Sequence, residues 1–344
     1  MSTPGKEILT LGIETSCDET AAAVTRNGRE VLSNVIASQV DVHEVFGGVV
    51  PEIASRQHLT AINGVVDAAL KEAGISINQA DVIAVTKGPG LVGAILIGLA
   101  TAKAMAFALG KPLAGVNHIC GHICAALIEH PELEPPFLTL VVSGGHTSLV
   151  DVRGFSGEPG DMIVLGGTRD DAAGEAFDKV ARVLGLGYPG GPKLDELAKR
   201  GDPEAVLFKR ATLEEGSLDF SFSGLKTGVM NFINSQKQSG APYDEADVAA
   251  SFQSSVVDVL SLKARAALEK TRYDSLVLAG GVAANSALRA RMQSDALQSG
   301  VRLFIPSKIL CTDNAAMIAC AGYYQYIAGN TDALSLDAYA SLPL

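Results

Sequence analysis

The stretch VNHICGHICAAL, residues 116–127, sets His118 and His122 four positions apart and Cys120 and Cys124 four positions apart. Residues at i and i+4 of a helix stand one above the other on one face, so two imidazoles at this spacing can chelate one divalent ion. The same spacing is also found on plain helix surfaces. The zinc-protease form of the motif, H-E-x-x-H, puts a glutamate between the histidines to activate water. Here Ile119 follows His118, so hydrolysis by that route lacks its base. Cys120 and Cys124 fall on other faces of the same helix and read as small core residues. A two-histidine site needs a further ligand, and CTDNAAMIA offers Asp313, expected at the end of a strand and before an apolar helix. That aspartate is either a helix cap or, where it meets the histidines from the other half of the chain, the carboxylate of a facial site with open positions.

Three strand ends share a second design, in which an apolar run passes straight into glycine or small polar residues: GIETSCDET, LVVSGGHTS and LVLAGGVAAN. Glycine at such a point lets backbone N–H groups approach an anion, so each turn can cradle a phosphate or a ribose, and each can equally be plain turn chemistry. Their joint occurrence favours nucleotide binding. In the first turn Glu14, Asp18 and Glu19 bring carboxylates beside Thr15 and Ser16; Asp18 is a candidate for chemistry and also for satisfying backbone donors. Further along, helical spacing puts Asp171, Glu175 and Asp178 on one face, and Asp195 opens the next helix after a Gly-Pro turn. Such a concentration of negative charge requires lysines, hydroxyls or a cation to meet it.

These residues need strand ends and helix starts to hold them, and the chain supplies both. ILTLGIETS reads as a strand, and AAAVTRNGREVLSNVIAS as two more joined at Asn27-Gly28, a pair suited to a tight hairpin. A helix over 51–73, the strand DVIAVTKG, a helix over 91–109, the strand PLAGV and the histidine helix complete the order βββαβαβα. The pattern then begins again, with LTLVVSGGHTSLVDV from Leu138 matching LTLGIETS from Leu9. The spacing predicts two similar halves, 1–134 and 135–326, the second enlarged by helical insertions, with a tail over 327–344 returning to the first half. The link EHPELEPPF is stiff and solvated, and a ligand is expected in a cleft between the halves.

A chain of 344 residues is long for one core, and with 47% apolar and 19% charged residues it is globular rather than disordered. The apolar run LVGAILIGLATAKAMAFALG carries Lys103, and no arginine-led signal precedes the first strand, so neither a membrane span nor an export peptide is expected and the location is read as cytoplasmic. Five scattered cysteines fit a reducing compartment. A net charge of −11 opposes non-specific binding to polyanions, so any nucleic-acid substrate needs a local basic patch or a partner.

Together GIETSCDET, GGVVPEIASRQH, KGPGLVGAILIG, NHICGH, VVSGGHTSLV, DDAAGEAFDKVARVLGLGYPGGP, DFSFSGLKT, LAGGVAAN and CTDNAAMIA resemble the bacterial tRNA N6-adenosine threonylcarbamoyltransferase family, TsaD, once taken for an O-sialoglycoprotein endopeptidase. The resemblance runs from Leu11 to Gly322. It implies an α/β, actin-like and sugar-kinase-like ATPase fold of two duplicated ribonuclease-H-like halves. It also implies transfer of threonylcarbamoyl from threonylcarbamoyl-adenylate to N6 of the adenosine adjacent to the anticodon, in tRNAs reading codons that begin with A. By the same resemblance His118, His122 and Asp313 hold one divalent metal, iron(II) in preference to zinc. Val141, Val142, Ser143, Gly144, Gly145, Asp178, Gly191, Asp195 and Asn285 contact the adenylate or an adenine nucleotide. The implied partners are tRNA, a TsaB-like paralogue as heterodimer and a TsaE-like ATPase, with no membrane. Asn117 departs from the histidine that many relatives carry before the ligand pair. An exocyclic adenine amine is a weak nucleophile, so the reaction needs charge stabilised on the carbonyl oxygen and a proton acceptor at nitrogen, for which Asp18 is the candidate. A metal-dependent endopeptidase and an actin-like ATPase or nucleotide-binding regulatory subunit are the alternatives. A His/His/Asp site sets the transferase apart from kinases of this fold, which hold magnesium through phosphates and carboxylates.

Overall fold

The computed structural model describes residues 6–211 and 213–344. Among the described residues ten strands follow in chain order: β1 (Leu9–Glu14), β2 (Glu19–Arg26), β3 (Glu30–Ser38), β4 (Val82–Gly88), β5 (Leu113–Asn117), β6 (Phe137–Val142), β7 (Thr147–Val152), β8 (Met162–Gly167), β9 (Ser275–Ala279) and β10 (Arg302–Phe304). The helices are α1 (Val40–Glu44), α2 (Pro51–Glu72), α3 (Val92–Leu109), α4 (His118–Glu129), α5 (Ala173–Val183), α6 (Gly190–Ala198), α7 (Ser223–Ser239), α8 (Glu245–Thr271), α9 (Ser286–Ser299), α10 (Lys308–Cys311) and α11 (Ala315–Ile327). The chain forms two compact units, one made of residues up to Pro135 with Arg153–Met162 and Ile309–Leu344, the other of Pro136–Val152 with Ile163–Lys308.

The first unit has a five-stranded sheet in the order β3-β2-β1-β4-β5, with β1 antiparallel to β2 and parallel to β4. Asn27 and Gly28 turn the β2–β3 hairpin with φ of 51° and 73°, the positive values that this dipeptide tolerates. Alternation along β1 sends Leu11 and Ile13 into the core under α2 and α3, and Gly12 to the opposite face, under α11. A Cβ on Gly12 would lie 2.4 Å from the carbonyl oxygen of Ala315, and one on Gly322 2.3 Å from Cβ of Ala84, so α11 lies directly on the strands. The helix α3 is long and apolar enough to cross a membrane. Here it covers the sheet, burying Ala94, Ile95, Gly98, Leu99, Ala102 and Ala106.

The second unit repeats the plan in the order β10-β9-β6-β7-β8, with β6 antiparallel to β7 and parallel to β9. Its central strand is fully buried along Phe137–Val142, as a strand covered on both faces should be. The insertions α5 to α8 were expected as helices; β8 was not, because MIVLGG has no clean alternation of apolar and polar residues.

Asp195 does not open its helix as the sequence suggests but is the sixth residue of α6, because the helix already starts within the Gly-Pro turn. Two further placements differ from the sequence reading. Asp313 does not end a strand: β10 stops at Phe304, and Asp313 lies in the turn between α10 and α11. Nor does it come from the other half, because α11 lies on the first sheet and carries its turn into the first unit. The second concerns Asp171, which precedes α5 instead of sharing its face with Asp178; its carboxylate is met by Lys179 at 2.8 Å and Lys226 at 2.9 Å.

Candidate metal centre and strand-end pocket

In the first unit, β5 runs directly into α4. The side chain of Asn117 caps that helix, its Oδ1 accepting from the Ile119 N–H at 2.9 Å, so His118 is the first helical residue. His122 follows one turn later, and the two rings meet edge to face with centroids 4.6 Å apart. From the other side the Asp313 Oδ1 comes to 3.2 Å from Nε2 of His122 and 3.5 Å from Nε2 of His118. Candidate ligand atoms on all three residues lie within 4.8 Å of one another. His122 is 1% exposed; among the described residues its Nδ1 has no hydrogen-bond partner, and its Nε2 meets Asp313 Oδ1 outside hydrogen-bond geometry. A buried imidazole so poorly satisfied is costly, and a metal bound at one nitrogen is the occupant that this donor set fits.

His118 is oriented by β1. Its Nδ1 lies 3.0 Å from Oε2 of the buried Glu14 and 3.2 Å from Oγ of Ser16. An ionised carboxylate only accepts, which puts the proton on Nδ1 and turns Nε2 toward Asp313. Glu14 is itself held, by the Ser16 N–H and by the Thr86 hydroxyl, each at 2.5 Å. Burial opposes the charged form of His118, and the carboxylates of Asp313 and Glu14 outweigh it, so its pKa stands well above the ordinary imidazole value. For Glu14 and Asp313 burial again opposes charge, and His118 outweighs it in both, leaving the two carboxyls below their usual range. The buried His118 imidazole and the carboxylates of Glu14 and Asp313 thus form one charged cluster.

Asp18 is buried in the turn after β1, four residues beyond Glu14. Burial, then the charge of Asp313, then Asp18 push the neighbouring Glu19 up to about 10. Cys120 and Cys124 lie 4.0 Å apart sulfur to sulfur, and the Cys320 thiol donates to the Cys124 carbonyl at 3.5 Å. Burial and these thiol neighbours push Cys124 well up, so it stays a neutral thiol and a poor ligand.

The second unit gathers the other candidates around the ends of β6 and β9. Val141 and Val142 are the last, buried residues of β6, and Ser143, Gly144 and Gly145 make the turn that follows, held by the His146 N–H donating to Ser143 Oγ at 3.1 Å. Gly280, with φ of 89°, brings the β9 turn against this one, since a Cβ there would lie 2.5 Å from the Val142 carbonyl oxygen. Asp178 accepts from the N–H groups of Gly190 (2.9 Å) and Gly191 (3.2 Å), fixing the start of α6. One turn along α6, Asp195 accepts from Ser286 through its hydroxyl (2.7 Å) and its N–H (3.1 Å). The adjacent Asn285 caps α9 and donates to Gln253 Oε1 at 2.7 Å. Side chains built on Gly144, Gly145 or Gly191 would meet nothing within 4 Å, so space is free on the Cβ side of each, while the Gly191 N–H is already taken by Asp178.

Sequence reasoning did not assign Thr86 or Gln253 and saw Glu14 only as one of several turn carboxylates. Gln253 lies in the polar stretch SFQSS of α8, and nothing local marks it out from its serine neighbours.

The family model for TsaD, tRNA N6-adenosine threonylcarbamoyltransferase, matches residues 30–320. Among curated proteins, the chain is 56% identical over 338 residues to the tRNA N6-adenosine threonylcarbamoyltransferase of Clostridioides difficile strain 630, covering 98% of this chain and 99% of that one. The protein of the same name from Clostridium botulinum strain 657 is 56% identical over 334 residues, covering 97% of each. Among solved structures, HypF of T. kodakarensis has a TM-score of 0.63 at 14% identity, over 96% of this chain and 49% of that one. Component A of the (R)-2-hydroxyglutaryl-CoA dehydratase of Acidaminococcus fermentans has 0.53 at 16%, over 94% and 100%. These two likenesses concern the fold alone.

Proposed function

The chain belongs to the TsaD family of tRNA N6-adenosine threonylcarbamoyltransferases, and from that premise we propose how its residues divide the reaction. It is a transferase of tRNA modification with the actin-like, sugar-kinase-like fold. In the proposed reaction N6 of adenosine attacks the carbamoyl carbon of threonylcarbamoyl-adenylate, the new C–N bond forms, the C–O bond to AMP breaks, and N6 loses a proton.

His118, His122 and Asp313 hold one divalent metal, and the observation that carries this reading is the buried His122 imidazole, whose Nε2 faces Asp313 at 3.2 Å outside hydrogen-bond geometry and whose Nδ1 has no hydrogen-bond partner among the described residues. Two histidines and one carboxylate with open positions suit iron(II) first and zinc second. Such an ion supplies Lewis acidity toward substrate oxygens. Glu14 keeps Nε2 of His118 free for it. Asp18 accepts the N6 proton.

In the second unit the free space beside Gly144, Gly145 and Gly191 receives the adenylate or an adenine nucleotide. Val141, Val142 and Ser143 shape the turn, while Asp178, Asp195 and Asn285 fix the helix starts around it. The net charge of −11 supports docking of tRNA with helpers, a TsaB-like paralogue and a TsaE-like ATPase. The exposed apolar residues Leu59, Val92, Leu96 and Phe107 on α2 and α3 are a fitting surface for the paralogue. The proposed location is cytoplasmic, with the tRNA.

The test is incubation of the chain with threonylcarbamoyl-adenylate, unmodified tRNA and the two helpers, with mass spectrometry of the digested tRNA. Threonylcarbamoyladenosine should form with the wild type and be lost with His118→Ala. Undiminished product from the variant would refute the assignment of the histidines.

A further inference from the structure

After α11 the chain returns along the free edge of the first sheet and ends its course at the start of the histidine helix. The Asp332 N–H donates to the Leu113 carbonyl at 2.7 Å, and the Asp332 carboxylate accepts from the Gly115 N–H at 2.7 Å. Further on, the Tyr339 N–H donates to the Lys87 carbonyl at 2.8 Å and the Ala340 carbonyl accepts from the Gly90 N–H at 3.2 Å. Finally, Nδ2 of Asn117 donates to the carbonyls of Leu342 (3.3 Å) and Pro343 (3.1 Å). Two glycines make room for this path. A Cβ on Gly115 would lie 2.5 Å from the Leu336 side chain, and one on Gly88 2.4 Å from the Tyr339 carbonyl oxygen.

Both supports of His118 are reached from this segment. Asn117 uses one amide twice: its oxygen caps the helix that His118 begins, and its nitrogen holds the segment. The turn after β4, which the segment holds at Gly90, also grips the Ser16 loop, with the Leu91 N–H donating to the Ser16 carbonyl at 2.8 Å. Ser16 in turn contacts Nδ1 of His118 and, through its N–H, fixes Glu14. We infer that residues 332–343, read by Asn117 and by the turn Gly88–Leu91, form a positioning device for His118, so that loosening this segment weakens metal binding at a distance from the ligands. An asparagine suits the position because an aspartate would keep the cap and lose the donor.

The inference rests on the metal reading above, and the controls separate the two. The full chain is titrated with Co(II) alone, following its visible absorption, and the exposure of the segment is followed by chymotrypsin cleavage at Tyr339. Asn117→Asp and Gly115→Ala should both cleave several-fold faster and bind Co(II) about tenfold more weakly, at the lower end of what loss of an outer-shell partner does. Asn117→Ala, which loses cap and donor together, should fall further. Asp244→Ala removes the comparable cap of α8 in the second unit, where Asp244 accepts from the Ala246 N–H, and should lower the melting temperature without moving the Co(II) titration. Co(II) binding that survives His118→Ala would instead sink the metal reading and the inference with it. Wild-type Co(II) affinity and spectrum in Asn117→Asp and Gly115→Ala would overturn the positioning role alone, as would cleavage at the wild-type rate in both.

Discussion

The Glu14→Gln exchange isolates what the buried carboxylate does for the metal centre, because it changes charge and hydrogen-bonding sense at almost constant volume. In the wild type, Oε2 receives the Nδ1 proton of His118 at 3.0 Å and the Thr86 hydroxyl at 2.5 Å, while Oε1 receives the Ser16 N–H. A glutamine cannot serve all three as an acceptor. If its oxygen stays on the Ser16 N–H, its NH2 faces His118, and Nδ1 must then accept; the proton moves to Nε2 and that nitrogen is lost as a ligand. If its oxygen faces His118 instead, the tautomer survives but the NH2 opposes the Ser16 N–H and the charge that raises imidazole basicity is gone. Loss of such an outer-shell partner weakens metal binding roughly 10- to 100-fold, which is about 1.4 to 2.7 kcal/mol. The assay is competition for zinc against a chelator of known affinity, run beside circular dichroism to confirm the fold. Affinity within twofold of the wild type, with His118→Ala binding none, would refute the argument that Glu14 sets the tautomer.

Metal-free protein should lose stability as pH rises. His118 has a folded pKa above its ordinary 6.5, so its contribution is complete below 6.5 and is lost as pH climbs toward the folded value, at up to about 1.4 kcal/mol per pH unit. Melting profiles of the wild type minus those of His118→Ala should show this slope in the metal-free state and lose it on metal loading; a flat difference would contradict it. Gly322→Ala would drive a methyl to 2.3 Å from Cβ of Ala84 and should cost about 1 to 3 kcal/mol, read as a lower melting temperature and as weaker metal binding through the displaced Asp313 turn. Asp195→Ala should raise the KM for threonylcarbamoyl-adenylate and leave metal affinity unchanged, since its two bonds to Ser286 belong to the second unit; a metal defect would count against the division of labour.

The parts of this molecule legible in the sequence are those with local causes. The Asn27-Gly28 hairpin, the start of α2 at Pro51 and the i, i+4 histidines each follow from a few neighbouring residues. The duplication was legible as well, since a strand-turn-strand like the first restarts at Leu138, and the two sheets share one strand order although β8 was not foreseen. What the sequence hid was decided by close approach between distant segments. Gly12 in β1 and Gly322 in α11 look like ordinary glycines, yet the space they leave lets α11 lie on the first sheet and carries Asp313 to the histidines within one unit. Glu14 was visible as a carboxylate and its partner was not, because 104 residues separate it from His118. Asn117 read as a departure from a family pattern, and its two opposed hydrogen bonds become visible only once the returning chain lies beside it.

The most direct test of the central claim is the single-turnover rate of threonylcarbamoyl transfer to tRNA, measured against the fraction of His118/His122/Asp313 sites loaded as stripped enzyme is titrated with iron(II). The rate should rise in proportion to occupancy and saturate at one ion per chain, with His122→Ala and Asp313→Asn both failing to load and failing to turn over. A stripped enzyme that transfers at the full rate would contradict it.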